Sequence, residues 1–141
     1  MQRKASAVWQ GDLKAGKGLI STDSGVLKQT PYSFHARFEN GIGTNPEELL
    51  AAAHAGCFTM AVASYLEKAG IVADNLWTVA TVTLEDTGDG FAITAVHLDL
   101  AARIPGADRS VFEAATSKAK AECPVSKVLN ARITLEARLE S

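Results

Sequence analysis

The feature that most constrains this chain is an uncharged, alanine-rich segment over residues 49–66. Pro46 suits the first position of a helix, and Thr44 or Asn45 can cap it. Gly70 provides a C-terminal stop. Because the segment has no charged face, we expect protein to cover the helix on both sides. The sequence therefore predicts a central, buried helix from about residue 46 to residue 70.

The remaining segments predict strands around this helix. Alternating or β-rich runs bounded by turn residues indicate strands over residues 4–10, 18–22, 32–38, 76–85, 91–101 and 132–139. Two further helices are expected over residues 108–122 and 124–129. The element order is that of an α+β fold with mainly antiparallel pairing. In the strand over 32–38, alternation places Phe34 and Phe38 on one face, so that Arg37 points away from the aromatic face.

Size and composition predict a single soluble domain over residues 1–141. The chain has 47% hydrophobic and 21% charged residues, as globular proteins do, and should fold without a cofactor. Its formal charge of −2 and scattered Lys and Arg argue against nucleic acid as a partner. No signal region is visible, and no stretch approaches the roughly 18 apolar residues of a membrane span. We therefore expect a cytoplasmic protein that does not contact a membrane.

Two cysteines are the candidate reactive groups, because a pair in a reducing compartment is seldom a permanent disulfide. Cys57 lies midway along the predicted helix after Gly56, a residue that costs roughly 1 kcal/mol there relative to alanine. Cys123 precedes Pro124 and so takes an N-cap position, where free N–H groups favour a thiolate. A lone buried cysteine is more often a packing residue, but the second cysteine favours redox chemistry.

Three stretches together resemble the OsmC/Ohr family over essentially the whole chain. They are the run over residues 32–38, the run over 43–58 that contains Asn45-Pro46-Glu47 and Gly56-Cys57-Phe58, and the later Cys123-Pro124-Val125-Ser126. Two cysteine motifs at this separation are jointly far more specific than either alone. The segment over residues 9–27 resembles the OsmC branch more than the Ohr branch.

The resemblance implies an intertwined homodimer in which antiparallel sheets wrap around the long cysteine-bearing helix. It also implies a thiol-dependent peroxidase of oxidative and osmotic stress defence, with its sites at the subunit interface and an external dithiol reductant such as a lipoyl group. By resemblance, Cys57 attacks the hydroperoxide and Cys123 resolves the intermediate as a disulfide. Arg37 and Glu47 are then the pair that activates the first thiol, a role for which an arginine beside a thiolate is chemically suited.

Helix geometry supports the expected dimer independently. Glu47 and Cys57 are ten residues apart on one predicted helix, which places them roughly 15 Å apart along its axis. If both belong to one site, Glu47 must reach Cys57 from a partner subunit or act through Arg37 held across the interface. Apolar residues around the site should favour organic hydroperoxides over hydrogen peroxide, since each buried methylene contributes roughly 0.8 kcal/mol.

Two other interpretations remain open from the residues alone. His54 and Cys57 are one helical turn apart, so with Cys123 they could hold a metal ion, although a histidine one turn from a buried cysteine is more often a packing or hydrogen-bonding residue. The chain could also be a non-enzymatic, stress-induced dimer that binds a small apolar ligand, with both cysteines as packing residues.

Overall fold

A computed structural model describes residues 1–140 of the chain, which form two compact units. The first unit comprises residues 1–49 and the second begins at residue 50. The strands are β1 Ala5–Gln10, β2 Lys17–Thr22, β3 Thr30–Tyr32, β4 Asn75–Asp86, β5 Phe91–Arg103 and β6 Arg132–Glu140. The helices are α1 Phe34–Phe38, α2 Pro46–Lys68, α3 Arg109–Glu122 and α4 Pro124–Val128. The α+β class is confirmed, whereas a single domain over 1–141 stays a prediction.

The first unit is built on an antiparallel sheet in the order β1-β2-β3. Trp9 on β1 and Tyr32 on β3 meet across β2 in an edge-to-face contact, with ring centroids 5.4 Å apart. Gly18 lies between them on β2, and a Cβ atom there would overlap both rings. The missing side chain of Gly18 therefore allows the two aromatic rings to meet.

The strand expected over residues 32–38 is wrong beyond Tyr32, because the chain turns into the short helix α1. Ser33 caps this helix, and its hydroxyl accepts a hydrogen bond from the Ala36 N–H at 3.0 Å. Phe34 and Phe38 still share a face, because residues four apart coincide in a helix as they do in a strand. Arg37 does not point away from the aromatic groups: its guanidinium carbon lies 5.2 Å from the centre of the Phe38 ring.

The long helix α2 begins and ends where the sequence indicates. Asn45 caps it, accepting a hydrogen bond from the Glu48 N–H at 2.8 Å. Gly70 has a φ of 79°, and the chain closes the last turn with a hydrogen bond from the Ile71 N–H to the Leu66 carbonyl at 2.9 Å. These local signals explain why both ends of α2 could be predicted.

One side of α2 is not covered within the single chain, contrary to the expectation of burial all round. A row at four-residue spacing is completely buried and consists of His54, Phe58, Val62 and Leu66. A second row is exposed and consists of Ala52, Ala53, Gly56, Met60 and Ala63. Met60 alone keeps 77% of its surface accessible. A helix with this second apolar row needs a further partner to bury it.

The second unit contains a mixed sheet in the order β4-β5-β6. The hairpin of β4 and β5 is antiparallel, as are the pairings in the first unit, so the expected mainly antiparallel pairing is confirmed; β5 and β6 run parallel as the exception. The long connection through α3 and α4 is what permits this parallel return. The core between this sheet and the helices includes Phe58, Leu98, Leu100 and Phe112, all fully buried.

Helix α2 also bears on the expected absence of a membrane span. It is long enough to cross a bilayer, and its most apolar window has a mean hydropathy of 1.5. The sequence expectation that no stretch approaches this length was therefore wrong. A single helix of this kind is weak evidence for a span, because the core helices of soluble proteins have the same length and composition.

Replacing Phe58 should reveal how much the buried row of α2 stabilises the second unit. Phe58→Ala removes a fully buried ring, and we expect the free energy of unfolding to fall by about 3–5 kcal/mol. The matched control is Phe91→Ala, since Phe91 is 59% exposed and should cost less than about 1 kcal/mol. Urea unfolding followed by circular dichroism measures both, and equal losses would contradict this assignment of the core.

Candidate active site

The first unit brings Arg37 and Glu47 together as an ion pair. The Arg37 Nε donates to Glu47 Oε1 at 2.6 Å. Glu47 lies in the first turn of α2 and is only 8% exposed, whereas the Arg37 side chain is 40% exposed. The second carboxylate oxygen of Glu47 is buried and has no hydrogen-bond partner among the described residues. The buried carboxylate thus fixes an arginine whose guanidinium can still reach a ligand.

Local hydrogen bonds hold the elements that carry this ion pair. Asn45 caps α2 with its side-chain oxygen, and its Nδ2 donates to the Ala36 carbonyl in α1 at 2.9 Å. The Thr44 N–H donates to the Pro31 carbonyl at 2.9 Å. Gly43 has a φ of 111°, and a Cβ atom there would strike the Pro31 carbonyl, so this tight approach requires glycine.

An aromatic cavity of about 270 Å³ opens beside Arg37 in the first unit. Its lining is formed by Trp9, Leu13, Tyr32, Ser33, Phe34, Arg37 and Phe38. The Phe34 and Phe38 rings lie 4.9 Å apart and form one wall of the cavity. Apolar walls with one cation suit a small molecule that has a hydrocarbon part and a polar or anionic group.

The second unit brings Cys57 and Cys123 together as neighbouring free thiols. Cys57 is partly buried on α2, and Cys123 is almost completely buried at the start of α4. The predicted N-cap position of Cys123 is confirmed, because its sulfur accepts a hydrogen bond from the Ser126 N–H at 3.4 Å. Cys57 packs against the core cluster that includes Cys123, and the two thiols are close enough for Cys123 to raise the pKa of Cys57. They are therefore placed for exchange between a dithiol and a disulfide.

The surroundings of Cys57 within this unit favour the neutral thiol. Burial raises the pKa of Cys57, and the neighbouring Cys123 raises it further, while a hydrogen bond from the Val125 backbone lowers it. The net pKa lies above the usual thiol value. Since the thiolate is the nucleophile, attack near neutral pH requires a positive charge that these groups do not supply.

Two residues without a catalytic role in the sequence analysis, His54 and Ser126, complete a polar chain in the second unit. The Ser126 Oγ lies 3.1 Å from the Cys123 sulfur and 2.7 Å from His54 Nε2. His54 is fully buried, and burial lowers its pKa, so the ring is neutral near pH 7. The sequence signals were a histidine one turn before Cys57 and a serine three residues after Cys123, but nothing local links them.

The metal interpretation finds no support in this arrangement. His54 uses its Nε2 for the hydrogen bond to Ser126. Within residues 1–140, no three His, Cys, Asp or Glu side chains converge on a position for a metal ion. A catalytic zinc site needs at least three protein ligands around one position, and His54, Cys57 and Cys123 are not grouped in this way.

Comparison with known proteins identifies the class to which this fold and these thiols belong. A family model described as OsmC-like protein matches residues 38–138. The chain belongs to this family. It is 50% identical to peroxiredoxin OsmC of Escherichia coli (strain K12) over all 141 residues and 99% of that protein. It is also 28% identical to the organic hydroperoxide resistance protein OhrB of Bacillus subtilis (strain 168). This match extends over 123 residues and covers 87% of this chain and 89% of that protein.

Solved structures confirm the OsmC/Ohr fold. The crystal structure of OhrB from Bacillus subtilis superposes with a TM-score of 0.69 at 28% identity, covering 96% of this chain and 98% of that one. An OsmC-like protein of unknown function from Vibrio cholerae gives a TM-score of 0.77 at 17% identity, covering 97% and 99%. The second likeness concerns the fold alone.

Proposed function

We propose that this chain is a thiol peroxidase that reduces organic hydroperoxides to alcohols and acts in stress defence. The observation that carries the proposal is the proximity of Cys57 and Cys123 within one unit, where Cys57 packs against the core cluster that includes Cys123. The 50% identity to peroxiredoxin OsmC over the full length of the chain supports the same chemistry. Cys57 is the attacking residue, Cys123 the resolving residue, and Arg37 with Glu47 the activating pair.

In the first step, the Cys57 thiolate attacks the terminal oxygen of the hydroperoxide. The O–O bond breaks, a sulfenic acid forms on Cys57, and the departing alkoxide takes a proton to become the alcohol. Sulfur is oxidised by two electrons and the peroxide is reduced by two. The Arg37 guanidinium provides the positive charge that the burial of Cys57 makes necessary, and Glu47 holds the guanidinium in place.

In the second step, Cys123 attacks the sulfenic sulfur of Cys57. A disulfide forms, the S–O bond breaks, and the oxygen leaves as water. This protects Cys57 from irreversible over-oxidation. An external dithiol, for which we propose a lipoyl group, then reduces the disulfide by exchange and restores both thiols.

The aromatic cavity beside Arg37 supports a preference for organic hydroperoxides. A volume of about 270 Å³ accommodates a small hydrocarbon group, and its walls are mostly aromatic rings. Each methylene that a substrate buries there contributes roughly 0.8 kcal/mol, a gain that hydrogen peroxide cannot obtain.

The proposed catalytic cycle also fits a cytoplasmic location, because Cys57 and Cys123 must both return to the thiol state after each turnover. Oxidising compartments convert neighbouring thiols to stable disulfides, whereas a reducing compartment keeps them available for catalysis.

The working enzyme, we propose, is a homodimer in which the Arg37–Glu47 pair of one protomer acts on the partner's Cys57. Two observations support this assembly. Glu47 and Cys57 are ten residues apart on the continuous helix α2, roughly 15 Å along its axis. The exposed apolar row of α2, which includes Gly56 and Met60, needs a cover that the single chain does not supply.

A charge in that row should dissociate the dimer. We expect Met60→Glu to shift the protein to monomers in sedimentation velocity and to reduce peroxidase activity at least tenfold, because burying an unpaired charge is costly. The matched control is Val26→Glu, another exposed apolar residue, which should remain dimeric and active. A wild-type protein that is monomeric and fully active would disprove the shared site.

Serine substitutions should separate the roles of the two cysteines. Cys57→Ser should abolish consumption of an organic hydroperoxide, whereas Cys123→Ser should complete a first turnover and then lose activity rapidly through over-oxidation. Peroxide consumption with a dithiol donor, together with mass spectrometry of Cys57, provides the measurement. Activity that survives in Cys57→Ser would contradict the proposed mechanism and favour the interpretation as a non-enzymatic, ligand-binding dimer.

Removing the Arg37 cation should raise the pKa of Cys57. In Arg37→Met, less thiolate is present at about pH 7, and each unit of pKa rise lowers the rate about tenfold. The loss should shrink as pH increases, because alkali ionises the thiol without help. Alkylation rates of Cys57 against pH, measured in a Cys123→Ser background, test this. Arg37→Lys retains the charge and should lie between wild type and Arg37→Met; identical profiles for all three would remove Arg37 from the mechanism.

A further inference from the structure

A buried histidine with no assigned role lies at the end of a hydrogen-bonded chain that starts at the resolving thiol. The chain runs from the Cys123 sulfur to the Ser126 hydroxyl at 3.1 Å and from that hydroxyl to His54 Nε2 at 2.7 Å. His54 is completely inaccessible, Cys123 is 1% exposed and Ser126 is 6% exposed. The three polar groups thus contact one another in the protein interior.

The apolar core around His54 makes the burial of its polar ring unfavourable in free energy. Phe58 and Val62, the next members of the same row on α2, are apolar and fully buried. His54 Nδ1 is buried with no hydrogen-bond partner among the described residues, which carries a desolvation cost. An apolar side chain would avoid this cost.

The resolving step needs a group that removes a proton from Cys123. The thiolate, not the neutral thiol, is the nucleophile in this step. Cys123 is too buried for bulk water to act as the base. The Ser126 hydroxyl is bonded to this sulfur and is in turn bonded to an imidazole nitrogen of His54.

We propose that His54 accepts the proton of Cys123 through the Ser126 hydroxyl when Cys123 attacks the sulfenic acid on Cys57. This inference deepens the proposed peroxidase function and rests on it. His54 acts through Ser126, so it is a positioning and proton-relay residue for the second step.

The proton balance of the relay is simple. In the resting state, the Cys123 S–H donates to Ser126 Oγ, and the Ser126 O–H donates to His54 Nε2. As the S–S bond forms, the thiol proton moves to Ser126 and the serine proton moves to His54. The hydroxide that leaves Cys57 takes a proton from water, and His54 returns its proton to water, so one water molecule is the only net product.

The charge state of His54 fits the role of acceptor. Burial lowers its pKa below the usual value, which keeps the imidazole ring neutral at neutral pH and lets it release the proton afterwards. Two titratable groups near it are Cys57, one turn along α2, and Cys123, joined through Ser126 at the start of α4.

Separating the two chemical steps tests the relay in the full-length protein. A stoichiometric amount of organic hydroperoxide is mixed with reduced enzyme; peroxide loss reports step one, and disulfide formation after an acid quench reports step two. His54→Gln can keep a hydrogen bond to Ser126 but cannot accept a proton. Ser126→Ala interrupts the chain by removing one oxygen atom, and it serves as the second variant if His54→Gln fails to fold.

His97→Gln is the matched control. His97 is an exposed histidine that also bonds a hydroxyl, since its Nδ1 lies 2.6 Å from the Thr134 Oγ1. It belongs to β5 and is not part of the hydrogen-bonded chain from Cys123 through Ser126 to His54. It should leave both steps unchanged.

We expect His54→Gln and Ser126→Ala to leave step one unchanged and to slow step two about tenfold or more at about pH 7, as loss of a general base does. The deficit should shrink as pH rises, because hydroxide increasingly replaces the missing base. Wild-type rates in both variants, or a loss that is equal at every pH, would overturn the relay. If wild-type Cys57 does not react with hydroperoxide at all, the peroxidase function itself fails, and this outcome is distinct from failure of the relay.

Discussion

The rest of the structure depends on the continuity of helix α2. This one helix carries Glu47 in its first turn and Cys57 about three turns later, so it contributes to both the ion pair and the thiol pair. Its buried row also carries His54, which reaches the start of α4 through Ser126. A kink or a register shift in α2 would displace groups in all three arrangements at once. The capping by Asn45, which fixes where α2 begins, is therefore as important to the site as any reactive residue.

The electrostatics of the site follow from where water is excluded. Burial raises the pKa of Cys57 and lowers the pKa of His54, so both groups favour their neutral forms. In such a site, a single nearby charge changes the protonation of either group strongly. In the proposed mechanism the first thiol obtains a permanent cation from Arg37. The resolving thiol instead obtains a base that becomes charged only during the reaction. This second arrangement avoids a lasting buried charge. A permanently protonated His54 beside Phe58 would be such a charge.

The sequence predicted those elements that short-range signals determine. The ends of α2 and the N-cap role of Cys123 before Pro124 depend on neighbouring residues, and both predictions were confirmed. Helix α1 was mistaken for a strand because two aromatic residues four apart, Phe34 and Phe38, fit either period. The local signal that distinguishes the two structures is Ser33, which caps the helix. The roles of the site residues came from family resemblance and stay predictions that the variants above address.

Features that depend on distant parts of the chain could not be read from local patterns. The parallel pairing of β5 with β6 is decided by the path of the connection through α3 and α4. Ser126 and His54 are 72 residues apart, so their hydrogen bond exists only in the folded chain. The uncharged segment did predict that α2 needs protein on both sides, yet one chain covers only one row. In the proposed dimer a second copy covers the exposed row, so the expected burial of α2 on both sides holds for the assembly and fails only for the single chain. The exposed row of α2 is therefore an argument for the shared site.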